Sequence, residues 1–131
     1  MNHLKQLPHG SPLRVVGYFG ILESLLTHPP KPTDPYDSIT RQVKKKLALL
    51  DRRFVRAIDY NGFGEVNPEK VWTKMYAYRS VVAHGGMPDF KGELAALKSP
   101  EQALKLLKET TKALIRHTLG EPQLIVDLRE C

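Results

Sequence analysis

The sequence predicts an all-α domain, a bundle of four to five helices in up-down packing, and three observations predict it. Apolar residues recur at helical spacing, most regularly Ile39, Val43, Leu47, Leu50, Phe54 and Ile58, which fall within about 100° of arc on an ideal helix. A capping side chain followed by proline, the signature of a helix start, recurs at Ser11-Pro12, Asp34-Pro35, Asn67-Pro68 and Ser99-Pro100. Between these windows lie breakers: the prolines at 29, 30, 32 and 35, the turn Asn61-Gly62-Phe63-Gly64, the pair Gly85-Gly86, and Gly120 with Pro122. The 131 residues make one domain, 1–131, with a core over about 11–119, an arm 1–10 and a tail 120–131. Such a chain buries about two thirds of its unfolded surface without metal or disulfide support.

The first helix is expected from Ser11 to about Thr27, with Leu13, Val16, Phe19, Leu22 and Leu26 inward. Glu23 stands among apolar residues; it is either simply exposed or held by a cation, and Arg79 is the candidate. The four prolines make a stiff connector, after which the best-patterned helix is expected from Asp34-Pro35 to around Tyr60. Opposite its core face, Arg41, Lys45, Arg52 and Arg56 fall within about 60° on an ideal helix, flanked by Lys44, Lys46 and Arg53. This stripe is either a solvated outer face or a track for RNA phosphates. The glycines at 62 and 64 have the wrong spacing for a phosphate loop.

The next helix is expected from Asn67-Pro68 to the glycine pair. Val71, Met75, Tyr78 and Val82 form one stripe and Trp72, Tyr76, Arg79 and Ala83 a second, so the helix faces two neighbours, one of which another protomer can supply. Residues 88–98 read as an irregular segment near His84. Ser99-Pro100-Glu101-Gln102 then opens a helix to about Gly120, with Ala103, Leu104, Leu107, Thr111, Leu114 and Thr118 inward. Lys105, Lys108, Lys112 and Arg116 form a second basic ridge, and His117 reads as a surface residue at the helix end. Leu124-Ile125-Val126 is a short β-prone run in the tail.

Composition narrows the class. Lysine and arginine number 20 against 14 acids, a net charge of +6, with a pI near 9.5, which favours acidic partners such as nucleic acid. A hydrophobic fraction of 41% and a charged fraction of 26% are those of an ordinary soluble domain. The single cysteine, Cys131, has no internal partner, fits a reducing cytoplasm and leaves no thiolate cluster for zinc. No apolar run approaches membrane-spanning length, and the amino-terminal residues lack a signal-peptide core; the loose arm suits a remnant of a larger parent chain. No metal or cofactor is expected.

The chemistry-bearing stretch is Tyr76-Ala77-Tyr78-Arg79-Ser80-Val81-Val82-Ala83-His84-Gly85-Gly86. Five residues separate Arg79 from His84 by roughly 140° and about 7.5 Å on a regular helix, so they converge only by a leaning stem, a loosened last turn or a symmetric partner. The last turn, with its unpaired carbonyls, favours a protonated imidazole and suits His84 to proton transfer near neutrality.

This Arg-x4-His-Gly block, with an aromatic before the arginine, resembles the Apea-like branch of the HEPN superfamily. Phe19-Gly20-Ile21-Leu22-Glu23-Ser24-Leu25-Leu26 is similar to that family's first helix, and the lysine-rich helix around Leu47-Ala48-Leu49-Leu50 takes the place of its second. The resemblance spans roughly residues 15–118 and implies a HEPN-like helical bundle, a metal-independent endoribonuclease acting in phage defence, as a toxin or in RNA processing, and a site composed where two modules pair. On the matching positions it implies Arg79 and His84 as catalytic residues, with Ser80 at the often-polar position after the arginine and Tyr76 and Glu23 as supporting candidates. Some relatives carry a tyrosine two residues beyond the histidine; here that place is Gly86. The rival expectations are a non-catalytic HEPN module that binds RNA, a nucleotide or a protein partner, and a helix-turn-helix DNA reader, for which no compact helix pair is visible.

Overall fold

The computed structural model describes residues 12–30 and 38–131, which form five α-helices, two short 3₁₀ turns and no strand. The helices are α1 (Pro12–Leu26), α2 (Ile39–Asp51), α3 (Pro68–Ala83), α4 (Pro100–Gly120) and α5 (Pro122–Glu130). An all-helical bundle is therefore the observed class. Ser11, the connector around Pro32 and Pro35, and the start expected at Asp34 lie outside the described residues.

The apolar sequence of α1 explains its place. A helix with apolar residues on most of its circumference has to be surrounded, and α1 packs against each of the other four helices. Val15, Tyr18, Phe19, Leu22 and Leu26 are all buried. Phe19 sits edge-on to Trp72 and Tyr76 of α3, with ring centroids 6.4 and 4.8 Å apart.

The caps read from sequence hold α3 and α4 in register. Asn67 Oδ1 accepts the Lys70 amide at 2.8 Å and Ser99 Oγ accepts the Gln102 amide at 3.1 Å. Along α4, Ala103, Leu104, Leu107, Thr111 and Leu114 are buried as expected, joined by Leu106 and Thr110. Thr111 tolerates burial because its hydroxyl donates to the Leu107 carbonyl at 2.7 Å. The 88–98 segment is packed rather than draped: Asp89 Oδ1 accepts the Lys91 and Gly92 amides, Phe90 stacks edge-on to Tyr78, and Leu94 and Leu97 are buried.

Several expectations need correction. Leu13, expected inward, is 63% exposed. The second helix begins at Ile39, capped by Ser38 Oγ on the Arg41 amide, and ends at Asp51 rather than near Tyr60. There the Asp51 carboxylate accepts the Ile58 amide at 2.9 Å and folds the chain back, so Phe54 and Ile58 reach the core from an irregular segment. The Leu124-Ile125-Val126 run is helical, within α5. Leu124, Ile125 and Leu128 share one helical face, and burying that face on the bundle outweighs the weak β preference of isoleucine and valine. The packed core thus extends past residue 119, with Ile125 fully shielded.

Lys46 is the polar knot of the bundle. Expected to flank an outer basic track, it is instead buried at 3% exposure. Its Nζ donates to the Leu26 carbonyl at 2.8 Å, the Arg129 carbonyl at 2.9 Å and Gln42 Oε1 at 3.3 Å. Those carbonyls belong to the last turns of α1 and α5, where unpaired acceptors and partial negative charge accumulate. Gln42 extends the knot by pairing with both backbone groups of His28. Lys46→Met keeps the bulk and strips the donors, leaving buried carbonyls without a partner. It is expected to lower unfolding free energy by about 1–3 kcal/mol in urea titration and to accelerate amide exchange in α5 more than in α4.

Candidate functional site

The end of α3 is built by its glycines. His84 is the C-cap, with φ −94 and ψ 8, and Gly85 follows at φ +73, in the left-handed region that glycine enters without a Cβ penalty. The Gly86 amide reaches back to the Val81 carbonyl at 2.8 Å and the Gly85 amide to that of Val82 at 3.1 Å. This is the Schellman arrangement, which satisfies carbonyls that the helix end leaves open. A Cβ on Gly86 would stand 3.1 Å from a Val81 methyl, so the pair is fitted to the turn.

With the turn fixed, the His84 ring folds onto its own helix and Nδ1 lies 2.7 Å from the Ser80 carbonyl. A carbonyl only accepts, so Nδ1 carries the hydrogen and the neutral ring presents the Nε2 lone pair outward. His84 is exposed. Ser80 contributes through its backbone carbonyl, which also accepts the His84 amide.

Arg79 is held differently. Its Nη2 donates to Glu23 Oε1 at 3.1 Å, and the Tyr76 hydroxyl donates to Glu23 Oε2 at 3.2 Å. The pairing of Glu23 with Arg79 considered from sequence is thus present. The carboxylate is the better shielded partner, its side chain 17% exposed against 35% for the arginine. Arg79 Nε is shielded from solvent with no hydrogen-bond partner among the described residues. No hydrogen bond or ion pair among the described residues joins Arg79 to His84, so the two stand as separate fixtures of one helix.

The basic stripe divides. Because α2 stops at Asp51, Arg41, Lys45 and Arg52 line a cavity of about 590 Å³ against Tyr60 and Trp72, whereas Arg56 joins Arg53 and Arg116 around another of about 620 Å³. One continuous track through Arg41, Lys45, Arg52 and Arg56 is therefore not formed. Neither cavity is lined by Arg79 or His84. His117, expected on the surface, is 9% exposed in its side chain and 3.2 Å from the Glu121 carboxylate, with its ring edge-on to Phe54. The cavity beside Trp72 escaped the sequence reading because it forms where the irregular segment after α2 returns Tyr60, whose hydroxyl accepts the indole N–H at 2.9 Å. The solitary tryptophan was the available signal.

Among the described residues no group of three histidine, cysteine or acidic side chains is arranged to hold a metal ion. Among the described residues three phenols are pushed above the usual tyrosine range. Burial pushes Tyr76 far above the usual tyrosine range, the adjoining Glu23 charge and hydrogen bond push the same way, and Arg79 offsets part of this. Burial also raises Tyr60 and Tyr78. A phenol whose folded pKa exceeds its unfolded value of about 10 contributes stability that is complete below that pH and is lost as pH rises through the folded value. Urea midpoints are therefore expected to hold up to about pH 10 and to fall above it. Tyr76→Phe is expected to flatten that fall, at a cost near neutrality of about 0.5–1.5 kcal/mol for the lost bond to Glu23.

Comparison with protein-family models, with curated proteins and with solved structures finds no match to this chain, so the case for its function rests on these side chains.

Proposed function

We propose that the protein is a metal-independent endoribonuclease of HEPN type, acting at Arg79 and His84 in the cytoplasm, in phage defence, as a toxin or in RNA processing. The observation that carries this reading is the 2.7 Å contact of His84 Nδ1 with the Ser80 carbonyl. It turns the other ring nitrogen outward as a proton acceptor at an exposed helix end.

RNA carries its own nucleophile. The 2′-oxygen forms a bond to the adjacent phosphorus as its proton passes to Nε2 of one His84. The bond from phosphorus to the 5′-oxygen breaks, and a second imidazole, the one that begins the step protonated, gives its Nε2 proton to that leaving oxygen and ends neutral. The products end in a 2′,3′-cyclic phosphate and a 5′-hydroxyl. Arg79 offers a planar fork of donors to the non-bridging oxygens as charge builds on them; Glu23 occupies Nη2 and holds the stem in place. The second imidazole comes from another copy of the chain, since each chain supplies one such histidine at this helix end, and the working unit is a homodimer. The net charge of +6 assists encounter with RNA.

A second reading takes support from Glu23. A carboxylate on Arg79 neutralises part of the charge a phosphate would use, which suits a module that binds RNA or a nucleotide, or a protein partner, without cutting. Incubation with single-stranded RNA in EDTA separates the two. The enzyme is expected to generate cyclic-phosphate ends, and His84→Ala and Arg79→Ala each to slow cleavage at least about 100-fold with the fold intact by circular dichroism. Intact RNA with retained binding, or cleavage untouched by both variants, overturns the catalytic reading.

A further inference from the structure

A second site lies away from Arg79 and His84, in the cavity of about 590 Å³ between α2 and the start of α3. Its wall on α2 carries Arg41, Lys44 and Lys45, with Arg52 at the C-cap of that helix, and its inner side is formed by Tyr60 and Trp72. Arg41, Lys45 and Arg52 stand at helical offsets of four and seven residues, which places them within about 40° of arc in a row roughly 16 Å long. Four cations face two carboxylates, and both carboxylates are engaged: Asp51 accepts the Ile58 amide and Glu69 lies 3.7 Å from Lys44. Lys44 also donates to the Thr73 hydroxyl at 2.9 Å. Lys45 and Arg52 have no ion pair or hydrogen bond among the described residues. The pocket thus combines a positive rim, in which Lys45 and Arg52 are the unengaged members among the described residues, with an apolar lining of Leu47, Ala48, Pro68 and the aromatic pair. Pockets of this volume suit a ligand of nucleotide size.

The geometry points to a binding site for a nucleotide unit, its base against Tyr60, Pro68 and Ala48 and its phosphates along Lys45 and Arg52. A purely inorganic anion makes no use of the apolar interior, and an uncharged aromatic makes none of the rim. The unit comes from a free nucleotide or from one residue of a single-stranded RNA. The site stands independently of the cleavage reading, since Arg79 and His84 do not line it.

Trp72 is the only tryptophan of the chain and lines this pocket, so tryptophan emission has a single source, placed at the pocket wall. Titration with AMP and with ATP is expected to change that emission saturably, with ATP binding at least tenfold more tightly as its additional phosphates meet the row. Affinity is expected to fall at least tenfold in Arg52→Ala and in Ala48→Glu, which sets a carboxylate at an exposed helical position beside Lys45 and Arg52, and to be unchanged in Arg79→Ala and His84→Ala. A short RNA oligomer that binds tenfold more tightly than AMP assigns the pocket to a strand; parity assigns it to the free nucleotide; either supports the site. A flat titration with all of these ligands, inorganic tripolyphosphate binding as tightly as ATP, or unaltered binding by a folded Ala48→Glu variant overturns it. Since RNA cutting is read from product ends and this site from Trp72 emission, either can fail while the other stands.

Discussion

One buried ammonium sets the terms of this fold. Taking a lysine out of water costs several kcal/mol unless its donors are all met, and Lys46 meets three acceptors drawn from α1, α2 and α5. Two of these are carbonyls at helix ends, where the summed peptide dipoles make a cation most welcome. The arrangement fixes where α1 stops and where α5 lies, because moving either end strands a charge or a carbonyl in the interior. His28, joined to Gln42 and lying 3.1 Å from the Cys131 carbonyl, closes the same corner from the other side. A tail of nine helical residues, too short to hold its shape alone, is thereby made part of the bundle.

The junction of α1 with α3 is organised by a carboxylate. Glu23 sits on α1, which contacts each of the other four helices, and reaches Tyr76 and Arg79 of α3. Since α1 is held by every other helix, the guanidinium inherits a rigid mount. His84, by contrast, depends only on the last turn of its own helix and the glycine pair that closes it. The two side chains differ in what restrains them: the arginine by tertiary structure, the histidine by local backbone geometry. A single chain leaves them unconnected and offers one such histidine, and the proposed mechanism takes its second imidazole from another copy.

Much of this was legible in the sequence, and the exceptions have physical causes. The starts of α3 and α4 could be read because a cap side chain and a first-turn proline act within four residues of each other, as Asn67 and Ser99 do. The end of α2 could not, because Leu50, Phe54 and Ile58 keep the helical period while the chain leaves the helix; the decision is made by Asp51 bonding the Ile58 amide, a contact with no periodic trace. Lys46 reads as one cation in a basic run until two helix ends arrive around it. The α5 helix was misread because local preference for strand in Ile125 and Val126 is worth little against a face that the bundle can bury. At the candidate site the residue types and the glycine stop were visible, whereas the tautomer of His84 depends on a distance to Ser80 that only the folded turn provides.

The early stop of α2 also determines how the positive charge is distributed. On one long helix Arg41, Lys45, Arg52 and Arg56 would make a continuous ridge suited to sliding along a phosphate backbone. By folding back at Asp51 the chain keeps Arg52 with Lys45, and sends Arg56 with Arg53 toward Arg116 on α4. Two shorter clusters, each beside a concave surface, replace one flat track. A flat track binds polyanions in any register, since each phosphate along the backbone presents the same charge; a cluster beside a cavity constrains which part of the ligand is phosphate and which is not. The same carboxylate that ends the helix therefore replaces a uniform positive ridge with two clusters that each border a cavity, and it does so with one hydrogen bond to the Ile58 amide.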